Sequence, residues 1–456
     1  MVTIEKQPNK SAYRKLSFLE RNYISRATNV VMAAKIQGQI SDQEIDAALQ
    51  KILKKYPITG VRFELDREGN CWLLPTNLSK LPLTIHERSP EQWTQVIEEE
   101  QRHIFNFETG PMIRFTLMRS GDKTTLIVNC HHSICDGLSL CFLLSDTLHF
   151  VAEPDSELGT ISDPTLSLEQ VIPFKSTGTI RQKIAIWSFN KRWKKTGVSF
   201  NFQDYKRLFD KYWKENPENR VTATYLQTHE LQTLIKNCKQ HQVTVNTALL
   251  TALLATQLEQ QERKERKIKI IIPVNVRERY SVKAEKTFGF FALGSFVEYN
   301  YDKTLGFWEN TQKFQKMLEL KLGDEEISHG QIKRLLSPFL WDSQYFVRYG
   351  FLDNCVSESL LGRSKLLEEV SFLPVTNLGV VKIPRTFGRL KLEAVFGPCV
   401  FAGDAEKVVG ITTVNDTLTV TVSYNGQTMD SGRIGQFLSA ALGYLNYTQN
   451  SESRTI

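Results

Sequence analysis

The sequence predicts an α/β chain in which helices and strands are mixed in layers rather than closed into a barrel. Three observations lead to that expectation: helical apolar periodicity early in the chain, strand-like runs paired around short polar turns, and no strict strand–helix–strand rhythm between them. With 456 residues, 41% of them hydrophobic and 23% charged, the chain is long enough for two or three domains with cores of their own.

Residues 41–56 (SDQEIDAALQKILKKY) predict a helix. Ser41 offers an N-cap oxygen, Glu44 completes a capping box, and Ile45, Ala48, Leu49, Ile52 and Leu53 fall on one face. Pro57 ends it. Residues 61–65 and 71–74 flank a turn-like DREGN and predict a hairpin; residues 91–105 read as helix; residues 112–119 and 124–130 read as strands around SGDK. From 152 to 175 the chain turns polar and rich in Pro, Ser, Asp and Glu, which marks a boundary. The expected division is a first lobe over 1–175, a crossover over 176–215 and a second lobe over 216–456.

The crossover is dense in Lys, Arg, Trp, Phe and Tyr between 183 and 214. Such a stretch can lie on a membrane or grip an acidic partner. The plainer expectation is that its aromatics pack on the body while its lysines stay solvated. In the second lobe, 230–240 and 247–261 predict helices, 262–267 a solvated charged helix end, and 268–272 a buried strand. Residues 408–414 and 418–424 predict a hairpin around Asn415-Asp416, and 434–447 a closing amphipathic helix.

Net charge is +7, with 50 acidic residues interspersed among 57 basic ones, so no concentrated patch points to nucleic acid. Seven scattered cysteines without a Cys-x-x-Cys pair read as reduced thiols. No apolar run has the length of a membrane span, and the N-terminus lacks the apolar core of a signal peptide. The expectation is a soluble, cytoplasmic monomer with no transmembrane segment.

The chemically informative stretch is TTLIVNCHHSICDGLSLCFLLSDTLHF, residues 124–150. A strand ends in His131 and His132; a short turn leads to Asp136-Gly137 and a helix with Leu140, Leu143, Leu144, Thr147 and Leu148 on one face. A neutral imidazole is available near pH 7 to take a proton. Neighbouring strand side chains point to opposite faces, so one histidine can work while the other is structural. Asp136 is placed to cap the helix or to hold a cation. Gly137 lets a ligand approach backbone N–H groups at a helix N-terminus, where developing negative charge is favoured. Two adjacent histidines followed, after three intervening residues, by Asp-Gly should occur by chance in on the order of one chain in a thousand. The bland alternative is a pair of satisfied histidines before a routine Asp cap.

HHSICDG resembles the HH-x-x-x-D-G motif of the chloramphenicol acetyltransferase-like superfamily, which includes condensation domains and stand-alone polyketide-associated and alcohol O-acyltransferases. The resemblance extends to KLSFLERNYI (15–24), KKYPITGVRFE (54–64), FNFETGPMIR (105–114), PVNVRER (273–279), TFGFFALGS (287–295) and VSFLPVTNLG (370–379). It implies two similar α/β lobes, each a mixed sheet flanked by helices, with an active-site channel between them. It implies transfer of an acyl group from a thioester, acyl-CoA or a phosphopantetheinyl acyl-carrier protein as co-substrate, to a small-molecule alcohol or amine. His132 is then the general base and Gly137 supplies room and an N–H near the thioester oxygen. His131 and Asp136 are structural, Asp136 paired with Arg277, and Asn377 lines the pocket or simply turns the chain before Gly379. No bound cofactor, metal or nucleotide is implied, and no metal-ligand set or phosphate-cradling glycine loop is evident.

Stretches typical of peptide-forming condensation domains and the DFGWG of plant acyltransferases have no good counterpart; FGPCVFAGD (396–404) is a distant echo. No carrier or adenylation domain is expected within these 456 residues. These departures favour a discrete O-acyltransferase. The alternatives are a carrier-dependent amide-forming enzyme, a non-catalytic docking protein, and a mechanism with Cys135 as nucleophile.

Overall fold

The computed structural model describes residues 12–86, 88–172, 178–260, 267–365, 370–401 and 405–445. The charged run predicted as a helix end at 262–267 lies almost wholly outside these residues, as do 173–175, 402–404 and 446–447.

Local signals translate directly into the first lobe. Asp42–Lys55 is helical, with Ser41 Oγ accepting from Glu44 N at 3.3 Å and Glu44 Oε2 accepting from Ser41 N at 2.9 Å. Ile45, Ala48, Leu49 and Ile52 are buried. After Pro57 the chain makes a 3₁₀ turn and enters the antiparallel hairpin Val61–Leu65 and Cys71–Pro75. The helix predicted at 91–105 is shorter, Trp93–Arg102, because a 3₁₀ turn capped by Ser89 precedes it.

The first six-stranded sheet runs, across its width, Thr386–Phe387, Leu390–Val400, Asn29–Gln37, Lys123–His131, Ile113–Ser120, Leu83–His86; only the last pair is parallel. Strand Asn29–Gln37 is apolar on both faces. Val30, Met32, Ala34 and Ile36 meet the helices Asp42–Lys55 and Gly137–Ala152, while Val31 and Ala33 meet Trp93, Val96 and Ile97. The second sheet runs Ala292–Glu298, Lys267–Asn275, Val370–Val381, Lys407–Val414, Thr417–Asn425, Asn219–Leu226. Val370–Val381 is parallel to both neighbours, and helices Val245–Gln260 and Ser431–Tyr444 pack on this sheet. The predicted hairpin forms around Asn415, whose φ of 54° suits an Asn in a tight turn.

Two segments cross any simple division at residue 216. Leu390–Val400, from the second half, completes the first sheet beside Asn29–Gln37. Helix Leu168–Val171, from the first, packs with Val274, Val276, Phe290 and Phe291 of the second. Leu390–Val400 also stitches the two sheets: Thr419 Oγ1 donates to Val395 O at 2.7 Å, Thr412 Oγ1 to Gly397 O at 2.6 Å, and Gly397 N to Thr421 Oγ1 at 3.0 Å. This seam needs a glycine, since a Cβ at Gly410 would sit 2.2 Å from Pro398 O.

The crossover forms two helices, Ile180–Thr196 and Phe202–Glu215. Tyr205 of the second joins a buried cluster with Arg21 and Asp342. Arg21 Nη2 lies 2.5 Å from Asp342 Oδ2 and 2.8 Å from Tyr205 OH, which itself donates to Asp342 Oδ2 at 2.7 Å. The cluster pins the short opening helix Phe18–Arg21, and with it the turn carrying Tyr23. Among the described residues no helix is long and apolar enough to cross a membrane.

Candidate active site

His131 and His132 lie at the end of strand Lys123–His131, next to the seam, and go separate ways as the strand alternation requires. His131 is buried among the edges of Phe63, Phe105 and Phe107, with ring centroids 5.1–6.2 Å away. Its Nδ1 accepts from Ser133 N at 3.3 Å, which leaves the proton on Nε2. Burial, with a smaller push from His132, brings its pKa down to about 3. His131 is a neutral core residue.

His132 is half-buried. Its Nδ1 lies 3.0 Å from Cys135 O. A carbonyl only accepts, so Nδ1 carries the proton and the lone pair belongs to Nε2, which makes no hydrogen bond among the described residues. Tyr23 stacks on the ring at 4.1 Å and Phe290 meets it edge-on at 5.4 Å. Burial lowers the pKa to about 4, against the upward pull of the Cys135 carbonyl and the Asp136 carboxylate. The ring is therefore neutral, of one tautomer, and fixed in orientation.

Asp136 caps helix Gly137–Ala152 and is saturated. Oδ1 accepts from Ser139 N at 2.9 Å and Arg277 Nη2 at 2.9 Å; Oδ2 accepts from Phe291 N at 2.9 Å and Arg277 Nη1 at 2.7 Å. Burial alone would raise its pKa, but the Arg277 guanidinium and these donors hold it below the usual carboxylate range. Arg277 also reaches Ser139 Oγ at 2.8 Å and Gly289 O at 3.3 Å, and its Cζ lies 4.8 Å from the centre of the Phe291 ring. The predicted pair thus spans the two lobes, Asp136 from the first and Arg277 just past strand Lys267–Asn275 of the second. The alternative of a cation held by Asp136 is met by Arg277 itself.

Gly137 is the first residue of the helix, and no protein hydrogen bond is made by its N–H among the described residues. A Cβ there would approach Leu378 Cδ2 to 2.9 Å and Pro398 Cγ to 3.1 Å, so side chains from the second half close directly over it. Asn377, beside Leu378, is committed locally: its Nδ2 donates to Asn246 Oδ1 at 3.0 Å and its Oδ1 accepts from Gly379 N at 2.9 Å. Both residues lie inside strand Val370–Val381, and Gly379, with a φ of 68°, falls where the pairing with Lys407–Val414 shifts register, so Asn377 stands at an irregularity in the strand and not in the turn expected. Cys135 turns its thiol inward, with Sγ 3.6 Å from His131 O. Burial and the neighbouring Cys130 push that thiol well above the ordinary range, and only its carbonyl meets His132. A nucleophilic role does not fit.

Sequence reasoning assigned no role to Tyr23, Phe290 or Ser139. The first two stood in stretches noted for resemblance, but stacking across the seam has no local signal. A shallow polar depression of about 370 Å³ lined by Gln227, Thr228, His229, Gln232 and Thr417 shares no residue with the His132 loop, and no hydrogen bond orients the His229 ring among the described residues.

Residues 9–164 match the condensation-domain family. Over the whole chain the structure superposes on polyketide synthase associated protein 5 from Mycobacterium tuberculosis with a TM-score of 0.63, covering 98% of this chain and 100% of that one at 14% identity. The chain has the condensation-superfamily fold. TRI3 trichothecene 15-O-acetyltransferase from Fusarium sporotrichioides shares it, with a TM-score of 0.62 over 95% of this chain and 94% of that one at 11% identity. Vanchrobactin synthetase VabF from Vibrio anguillarum is 23% identical over 314 residues, 66% of this chain and 10% of that protein. The match therefore spans only about a tenth of that much longer synthetase. The condensation-domain match contains the whole His131–Gly137 loop, whereas Arg277 lies beyond it.

Proposed function

We propose that this chain is an acyltransferase that moves an acyl group from a thioester to a hydroxyl, with His132 as general base. The observation that carries the reading is the fixed tautomer of His132: Nδ1–H is committed to Cys135 O, and Nε2 keeps a lone pair with no protein partner among the described residues. Nε2 takes the proton from the acceptor O–H as the oxygen attacks the thioester carbonyl. The carbonyl oxygen becomes an oxyanion, for which the free N–H of Gly137 at the helix N-terminus is the candidate donor. The C–S bond breaks as the tetrahedral intermediate collapses, and His132 returns the proton to the departing thiolate. The imidazolium that exists between these steps is supported by the Cys135 carbonyl and the Asp136 charge. Asp136, saturated by Arg277 and two backbone N–H groups, holds the loop and takes no proton.

The donor is acyl-CoA or an acyl group on a phosphopantetheinyl carrier protein. A second reading, carrier-dependent amide formation with an amine acceptor, is favoured by the condensation-domain match and by the similarity to vanchrobactin synthetase. Purified protein offered coenzyme A and carrier thioesters, each with alcohols and amines, separates the two. In either case His132→Ala should lower thiol release by about 10²–10⁴-fold. Full activity in that variant would remove His132 as the base, and unchanged cellular function would favour a docking protein.

A further inference from the structure

We propose that the exposed ridge of helix Ile180–Thr196 binds an anionic lipid surface, independently of the chemistry at His132. This helix contains six cations, Arg181, Lys183, Lys191, Arg192, Lys194 and Lys195, and no acidic residue. All six are exposed, and none forms an ion pair among the described residues. The next helix behaves differently. In Phe202–Glu215, Lys206 pairs with Asp210 at 2.6 Å, Lys211 with Glu215 at 3.0 Å and Arg207 with Asp204 at 3.9 Å. The second helix thus pairs three of its four cations with its own three acidic residues, whereas the first presents six cations with no acidic residue of its own.

The same ridge exposes large apolar side chains: Ile180 at 77%, Ile184 at 59% and Trp187 at 61%. Ile180, Ile184, Trp187, Lys191 and Lys194 follow helical spacing along one line of roughly 20 Å, so a single surface meets the apolar and basic halves together. Lys191 Nζ lies 4.8 Å from the centre of the Trp187 ring, where the two halves join. The opposite face is anchored. Phe189 and Trp193 are buried with Leu336, Phe339, Leu340 and Val356, and Asn190 Nδ2 donates to Leu335 O at 2.7 Å. Leu335, itself 40% exposed, extends the apolar patch beside the ridge.

Size decides between the two surfaces that such a ridge fits. A stable protein partner needs about 800 Å² on each side, and one convex helix face with three apolar side chains supplies too little. A bilayer needs no groove. It needs cations for the headgroups and aliphatic and Trp side chains for the boundary, and all of these lie here on one line. Each Lys or Arg close to an anionic leaflet raises partitioning roughly fivefold.

Flotation of the full-length protein with vesicles of phosphatidylcholine, alone or with about 30% phosphatidylglycerol, tests this. Binding is expected only to the anionic vesicles and should weaken as salt rises from about 0.05 to 0.5 M. The triple variant K191E/K194E/K195E should lower partitioning by on the order of a hundredfold or more. I184S/W187S should also lower it, with circular dichroism and acyl transfer between water-soluble substrates unchanged in both variants. Failure of the native protein to bind anionic vesicles at low salt would overturn the proposal, as would undiminished binding by the triple variant. Capture of an acidic helical carrier protein by this ridge without vesicle binding would also overturn it and assign the ridge to a protein partner.

Discussion

Removing Arg277 tests whether the two lobes together hold the loop that carries His132, the proposed base. Arg277 and Asp136 are almost fully buried and joined by two hydrogen bonds of 2.7 and 2.9 Å. In Arg277→Ala the carboxylate keeps its bonds from Ser139 N and Phe291 N but loses its counter-charge, while Ser139 Oγ and Gly289 O lose a donor. Breaking one partner of a buried pair costs about 3–5 kcal/mol, a large part of the stability of an ordinary domain. Asp136→Asn is the complementary perturbation: it is isosteric, keeps an acceptor for the cap, and leaves the guanidinium without a neutralising charge. Replacing both residues by apolar ones of similar volume should recover much of the loss, because the largest part of the penalty is an orphaned buried charge.

Urea unfolding with two probes measures the stabilities, and a double-mutant cycle isolates the coupling. The loop reports separately through kcat/KM for thioester transfer. His132 is held by Cys135 O, one residue before Asp136, so a loop shift of about 1 Å should cost on the order of a hundredfold. A loss of less than about 1 kcal/mol in Arg277→Ala, with full activity, would refute the view that this pair positions the base.

Further outcomes follow from the burial of the histidines and the closeness of the seam. Both histidines have folded-state pKa values below the unfolded value, about 3 for His131 and about 4 for His132. The unfolded chain therefore binds more protons in acid, and stability should fall as pH drops from about 6.5 towards 4, by up to about 1.4 kcal/mol per histidine per pH unit. His131→Phe should flatten part of that slope. Asp136 differs: its lowered pKa stabilises above about 3.9 and is lost only below that, so its contribution is constant at neutral pH. The acid limb of kcat/KM should lie near 4 rather than 6.5, and a limb at 6.5 would contradict the desolvated ring. Gly410→Ala should be severely destabilising, since the new Cβ meets the Pro398 backbone at 2.2 Å; Gly137→Ala meets only side chains and should fold with reduced activity. Thermal unfolding of the two variants compares them.

What could be read from the sequence was what short-range chemistry determines. The box Ser41–Glu44, the stop at Pro57, the turn at Asn415 and the Asp136 cap are each satisfied within a few residues, and each forms where expected. The Asp136–Arg277 pair was accessible only through resemblance, because nothing local links residues 141 positions apart. Strand Leu390–Val400 shows why lobe assignment was harder. Its apolar run is compatible with either sheet; it pairs with Asn29–Gln37 in the first, while Thr412, Thr419, Thr421 and the bare Cα of Gly410 tie it to the second. Trp187 could not be separated from Phe189 and Trp193 by composition, although only the last two enter the core.

The seam explains why this chemistry does not belong to either lobe alone. The first lobe supplies His132, the proposed base, and the helix N-terminus; the second supplies Arg277, Phe290 and Leu378, which respectively neutralise the cap, flank the ring and close over Gly137. Each contact crosses between elements whose relative position is set by Leu390–Val400, a strand that pairs with one sheet and hydrogen-bonds to the other. A small displacement of the lobes would relax the Arg277 fork, the Phe290 edge contact and the cover over Gly137 together, since all three reach across the same interface. Activity should therefore fall before global unfolding in mild denaturant, with the loss tracking the cross-lobe contacts rather than the core of either sheet. If activity and the far-ultraviolet signal were lost together at every denaturant concentration, the lobes would behave as one rigid unit, and the seam would have no separate role in holding the base.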